Sequence, residues 1–335
     1  MAHSGVDSQA DALVQDVTEV SSLVRSFRNT LVSINRMPLE VFSLIPHYWE
    51  RWSDWERREA DRDLVSMTQV CRRWREILTL HCSSLWTNLD FEHPDKTRVY
   101  IERSRSLPLK VTLTETGGFA RCDDPFLEVV PHLNRLGSLT IKARAGTLSG
   151  LSNRLPSHAP ILKELKVLLD DEGSYDSRFV PGDLDILDTV FPEDPSLCKL
   201  SLSGITTNLP SMNLVNLTVF ELRNPEDMVD PTFMTQILDV LVSAPLLRRI
   251  TLCVNIPTTF DHPPQRAISL PDLEKLVIES IPPDSTFLHH LSIPAGASLD
   301  VTLWCPSDAD PDKAVCLRQI TDDLQHITTV SVAAN

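Results

Sequence analysis

The chain has 335 residues, 42% hydrophobic and 23% charged, which is enough apolar material for two or three domains and at least one sizeable core. Its formal net charge is −15, and from residue 151 onward 26 acidic residues stand against 12 basic ones, a balance that argues against general affinity for nucleic-acid phosphates. No apolar run is long enough to cross a bilayer, and the polar, acidic first twenty residues lack the pattern of a secretion signal. The expectations are no nucleic acid, no membrane, and residence in the cytoplasm, the nucleus or both.

Residues 1–34 carry a heptad pattern. Leu13, Val17, Val20, Val24, Phe27, Leu31 and Ile34 recur at alternating steps of four and three. This spacing predicts one helix with a single apolar seam, which either packs on the next domain or pairs as a coiled coil.

Residues 35–92 read as a second, all-helical unit. In "NRMPLEVFSLIPHYW", Asn35 offers a cap, Pro38 and Glu40 suit a first turn, and Leu39, Val41, Phe42 and Ile45 give an apolar face. Residues 49–63 follow as a charged, loop-like insertion, in which Trp49, Trp52 and Trp55 have a spacing that also suits a short helix. "LVSMTQVCRRWREILTL" then reads as one amphipathic helix, with Leu64, Met67, Val70, Cys71, Trp74, Ile77 and Leu78 on one side. Arg72, Arg73 and Arg75 fall mostly off that stripe, and Leu85 and Trp86 close the unit. Three arginines around a tryptophan fit either a nucleic-acid-reading helix or the rim of a protein-binding face. The acidic chain and the apolar setting of Trp74 favour the second.

From residue 93 to 335 the pattern changes. An L-x-x-L-x-L motif returns at 136–141, 162–167, 197–202, 217–222, 247–252, 273–278, 299–304 and 327–332, and "LPLKVTL" at 107–113 opens the series. The penultimate apolar positions are 139, 165, 200, 220, 250, 276, 301 and 330, with a mean step near 27, inside the leucine-rich-repeat range. "FMTQILDVLVSAP" reads as a returning helix, and Pro-rich stretches mark loops. The fold expected is α/β: an N-terminal helix, a small all-α unit, then an irregular leucine-rich-repeat solenoid with a curved parallel sheet. A conventional α/β domain with parallel strands is the alternative.

The second unit carries a resemblance. Met37-Pro38-Leu39-Glu40-Val41, then Leu64 and Val70-Cys71-Arg72-Arg73-Trp74, then Leu85-Trp86 stand in the order of an F-box. The segment resembles that family specifically over residues 35–113. The helix before it, the insertion, the phrase "IERSRSLPLKVTL" and the leucine-rich tail are similar to fungal F-box proteins. The insertion is where this chain departs from the general pattern.

The resemblance implies a trihelical unit that docks on a Skp-type adaptor and, through it, a cullin. The implied adaptor-binding residues are Met37, Pro38, Leu39, Val41, Phe42, Ile45, Leu64, Val70, Cys71, Trp74, Ile77, Leu85 and Trp86. It further implies the substrate-recognition subunit of an SCF-type ubiquitin ligase, itself non-catalytic, with the repeats holding a target protein. A scaffold that uses the same surfaces without ubiquitination is the alternative.

No catalytic constellation is legible. There is no P-loop, GxGxxG, GxSxG or HExxH motif, and only ten glycines. Seven widely spaced cysteines without a CxxC pair argue against a disulfide framework or a structural zinc site. Asp170, Asp171 and Glu172 read as a solvated acidic turn and His289-His290 as a poor ligand pair, so neither cofactor nor metal is expected.

Strand alternation puts the residues between the leucines on the open sheet face. From residue 162 onward these include five basic residues, Lys166, Lys199, Arg223, Arg249 and Lys275, against four acidic ones, in an acidic domain. An acidic or phosphorylated target segment suits this face, with Trp304 as an aromatic contact. Basic side chains that merely cover an open sheet are the competing account.

Overall fold

The computed structural model describes residues 3–52, 57–90, 94–114, 130–144, 159–169, 197–204, 214–228, 231–256, 267–282, 285–303 and 329–334. The fold is α/β, with an N-terminal helix and a large parallel sheet. Residues 1–87 with 99–107 form one unit, and residues 88–98 with 108–335 form the other.

The heptad segment is helix α1, His3–Leu31. The seam ends sooner than its spacing predicts, because Ile34 lies in a 3-10 turn, Ser33–Arg36. Asn35 belongs to that turn and is buried; it caps no helix, and α2, Leu39–Trp52, begins instead where Phe42 N–H donates to the Pro38 carbonyl.

Helix α3, Arg57–Val70, starts inside the segment that its charge marks as a loop. Arg, Glu and Ala are good helix formers whatever their polarity, so absent apolar periodicity is not evidence of a loop. Trp55 lies outside the described residues. The single helix expected over residues 64–80 is two. Cys71 is extended (φ −160°, ψ 172°), and α4, Arg72–Leu80, starts anew after it. A 3-10 turn, Ser83–Trp86, and helix α5, Pro94–Arg103, follow.

The sheet follows from the apolar alternation. Its strands are β1 (Asn88–Leu89), β2 (Leu109–Thr114), β3 (Leu136–Ala143), β4 (Glu164–Leu169), β5 (Lys199–Ser203), β6 (Val219–Met228), β7 (Arg249–Asn255), β9 (Lys275–Ile281), β11 (Ser298–Leu303) and β12 (Thr329–Ala334). They lie side by side in chain order, every pair parallel. Short strands β8 (Ile268–Ser269) and β10 (Leu291–Ser292) pair separately. The helix expected near residues 233–245 is α6, Pro231–Ser243, which buries Phe233, Met234, Ile237, Val240 and Leu241 at helical spacing.

Register lines up two apolar ladders. One runs Val111, Leu139, Leu165, Leu200, Phe220, Ile250, Leu276, Leu299, Val330. The other runs Leu113, Ile141, Val167, Leu202, Leu222, Leu252, Ile278, Val301, Val332. From β2 to β11 every member is at most 2% exposed. The partner of Leu276 is Leu299, two residues before the position the motif spacing selects, so that strand enters the sheet sooner than expected.

The approach to the strands repeats as well. Leu162, Leu217, Leu247, Leu273 and Ala297 each donate their N–H to the carbonyl three residues back and are buried. Lys163, Cys198, Thr218 and Arg248 then each offer one carbonyl to two successive N–H groups of the next strand's approach. After β5, Gly204 has φ +74° and its N–H donates to the Arg223 carbonyl (2.8 Å). A Cβ there would sit 2.6 Å from Leu169 Cβ, so only glycine fits without displacement.

Candidate protein-interaction surfaces

In the helical unit the two motif tryptophans are structural pins. The Trp74 indole N–H donates to Asn35 Oδ1 (2.7 Å), and Asn35 Nδ2 donates to the Asn29 carbonyl (2.7 Å). Trp74 meets Phe42 edge to face, with centroids 4.8 Å apart. Trp86 is fully buried, donates to the Leu78 carbonyl (2.8 Å), and meets Tyr100 edge to face at 4.9 Å. The Arg103 guanidinium lies 4.4 Å from the centre of the Trp86 ring, a cation–π contact.

The arginines around Trp74 also act within the unit. Arg73 Nη2 donates to the Met37 carbonyl (2.9 Å) and Arg75 Nε to the Thr68 carbonyl (3.1 Å). Arg72 pairs with Glu76 four residues on (2.9 Å), an exposed pair that contributes little to stability. Arg73 thus joins α4 to the start of α2, and Arg75 bridges the break at Cys71.

The residues matched to the F-box motif divide by burial. Phe42, Leu64, Ile77, Leu85 and Trp86 are core of the unit, while Met37, Leu39, Ile45, Cys71 and Trp74 are half-buried. Pro38, Val41 and Val70 are exposed. Leu44 and Tyr48 join Val41 as exposed apolar residues on α2, at 47% (Val41), 63% (Leu44) and 67% (Tyr48). Positions 41, 44 and 48 share one helix face. Motif matching passes over Leu44 and Tyr48; the i, i+3, i+7 spacing on the face away from Phe42 is the signal that finds them.

The open sheet face is arranged in register rows. The first row holds Lys110, Ser138, Glu164, Lys199, Val219, Arg249, Lys275 and Ser298 on successive strands. Arg249 and Lys275 are direct neighbours, and Lys199 is separated from Arg249 by Val219 alone. Lys166 lies one row along, and Arg223 two rows along, beyond Glu221 on its own strand. The basic residues are therefore one row with two outliers. Trp304 lies outside the described residues.

Lys166, Arg223, Arg249 and Lys275 are exposed. Lys199 reaches Glu221 at 3.8 Å, and Glu221 also accepts from the Ser201 hydroxyl (2.9 Å). Cys253, beside Arg223 in register, is buried. Burial, followed by a hydrogen bond with Glu279, pushes its thiol up to about 11, while Arg223 pulls the other way. Burial, then the neighbouring His289, lowers the His290 imidazole below its ordinary value. Among the described residues no group of three His, Cys, Asp or Glu is placed to hold a metal ion, and no helix is long and apolar enough to cross a membrane. Asp170, Asp171 and Glu172 lie outside the described residues.

Compared with family models, curated proteins and solved structures, the chain matches none.

Proposed function

We propose that this chain is the substrate-recognition subunit of an SCF-type ubiquitin ligase. The helical unit docks on a Skp-type adaptor, which links it to a cullin, and the sheet unit holds the target. One observation carries the adaptor half of this reading. Helix α2, which starts at Leu39 within Met37-Pro38-Leu39-Glu40-Val41, leaves Val41, Leu44 and Tyr48 exposed on one face, while Phe42 fills the core. A contiguous exposed apolar face marks a surface for a protein partner.

The sheet unit is read as an irregular leucine-rich solenoid. Strand order that follows chain order, the repeated turn before the strands and the shared-carbonyl bonds support this account. An acidic or phosphorylated segment of the target lies along Lys199, Arg249 and Lys275, with Lys166 and Arg223 beside it. The chain contributes no chemistry of its own; it raises the local concentration of a target near the ubiquitin carrier.

The test is co-purification with a Skp-type adaptor. Val41→Asp with Leu44→Asp changes only exposed positions, so the fold is retained and the adaptor is lost. Adaptor retention by that variant would overturn the reading. Arg249→Glu with Lys275→Glu is expected to lose the target and keep the adaptor; unaltered capture would leave the basic row as mere sheet cover. A scaffold role without ubiquitination predicts the same capture with no modification of the captured protein.

A further inference from the structure

The polar face of the sheet unit carries its charge unevenly. Lys199 stands between two carboxylates. Glu164 is its register partner on β4, and Glu221 on β6 lies 3.8 Å from its Nζ. Each glutamate is held by a serine hydroxyl from the strand before. Ser138 Oγ donates to Glu164 Oε2 (3.2 Å), and Ser201 Oγ donates to Glu221 Oε2 (2.9 Å). In both cases serine and glutamate are register partners, so the same device occurs on either side of Lys199.

Arg249 and Lys275 have the opposite surroundings. They are register partners on β7 and β9, about 4.8 Å apart at the backbone, and both are exposed. Their neighbours in the row are Val219 and Ser298, and the next row along their strands holds Thr251 and Val277. Asp300 lies in that next row, opposite Val277. Glu274 is drawn off by Arg248 at 3.2 Å. Among the described residues neither Arg249 nor Lys275 is paired with a carboxylate. Like charges opposite each other on adjacent strands repel, and an anion between them relieves that repulsion.

The two surroundings select different anions. A run of carboxylates laid along the row from Lys275 to Lys199 would bring its far end against Glu164 and Glu221, where like charge repels it. One compact group at Arg249 and Lys275 has no carboxylate as a direct neighbour. A single carboxylate offers one negative charge to two cations. A phosphate monoester offers between about one and a half and two, with three acceptor oxygens. The planar fork of Arg249 suits two of those oxygens, and the Lys275 ammonium suits the third.

We infer that Arg249 and Lys275 form a site for one phosphate monoester on the target, and that Glu164 and Glu221 are specificity-determining residues that deny the face to a run of carboxylates. This inference rests on the proposal that the sheet face recognises its target by charge, and it narrows that proposal. Lys199 leaves the anion site and becomes the counter-charge between two glutamates.

The experiment measures fluorescence anisotropy of two labelled peptide pools with the full chain. Both pools have a degenerate neutral sequence, built around one fixed phosphoserine or around four fixed glutamates. The wild type is expected to bind the phosphoserine pool more tightly. Arg249→Gln with Lys275→Gln loses that binding, and Lys199→Gln keeps it. Glu164→Gln with Glu221→Gln moves the ratio of the two affinities toward the glutamate pool by about tenfold, because two repelling charges are removed while the serine bonds are kept. An unmoved urea midpoint checks that each variant is folded. Three outcomes overturn the inference while recognition by charge stands: a wild type that prefers the glutamate pool, a ratio unmoved by the Glu164→Gln, Glu221→Gln variant, or a loss on Lys199→Gln as large as that of the Arg249→Gln, Lys275→Gln variant. If neither pool binds the wild type, recognition by charge falls and the inference with it.

Discussion

In the helical unit Val41, Leu44, Tyr48 and the α1 seam stay in water, while Phe42, Trp74 and Trp86 hold the helices together. In the sheet unit the order is reversed. Two ladders of leucine, isoleucine, valine and phenylalanine are buried from strand to strand, and the rows on the opposite face are mainly lysine, arginine, glutamate, serine and threonine, with Val219 and Val277 among them. A small group of helices has few positions to spend on a core, so two pinned aromatic residues serve instead and apolar surface is left over. A long parallel sheet buries its apolar face by repetition and leaves polar groups for selection. The first unit leaves apolar surface in water, and the second leaves a charged one.

This contrast can be broken or sharpened at single residues. The largest effect is expected from Trp86→Ala. It removes a fully buried ring, the bond to Leu78 and the contacts with Tyr100 and Arg103, at a cost of about 3–5 kcal/mol. Urea unfolding followed by far-ultraviolet circular dichroism should show the helical signal lost at lower denaturant; an unmoved midpoint would refute the pin. Gly204→Ala comes next, at about 1–3 kcal/mol, from the positive φ and the close approach to Leu169. A loss within a few tenths of a kcal/mol would mean that the strand end relaxes freely. Asn35→Ala should cost about 1 kcal/mol by leaving the Trp74 indole N–H without its acceptor. Tryptophan fluorescence during unfolding reports it.

The smallest effect concerns Cys253. A thiol raised from 9.0 to about 11 in the folded state keeps its stabilising contribution below about pH 9 and loses it as pH rises through about 11. The urea midpoint of wild type should therefore fall more steeply than that of Cys253→Ala above pH 9. At pH 8 iodoacetamide should label half-buried Cys71 before Cys253. Faster labelling of Cys253 would contradict its burial.

The sheet was the more legible unit because its code has a period of two and recurs. The L-x-x-L-x-L spacing marks the strands and the alternation marks their faces, and the structure places Lys166, Lys199, Arg249 and Lys275 on the polar face as expected. What spacing missed was where a strand enters: Leu299 rather than Val301 opposes Leu276, a choice made by the preceding turn at Ala297. The helical unit was less legible. Its stripe from Leu64 to Leu78 is continuous in sequence, yet the extended backbone at Cys71 splits it and turns Val70 outward. Asn35 looked like a cap because the residue type suits one; its partner, Trp74, lies 39 positions away and no local pattern reveals it. Of the thirteen residues the motif singles out, five are core and only three are exposed, because a motif records what keeps a unit folded as well as what it presents.

The chain-order arrangement of the strands has a mechanical consequence. Among the described residues, each inner strand of the ten-stranded sheet is hydrogen-bonded to the strands before and after it in the sheet. A pull on the end of the sheet loads one neighbouring ladder at a time, with no distant crossover to share the strain. The unit should lengthen by peeling, in a series of small steps at low tension, and wind back strand by strand when the load is released. Such a sheet would then yield like a spring rather than part at once.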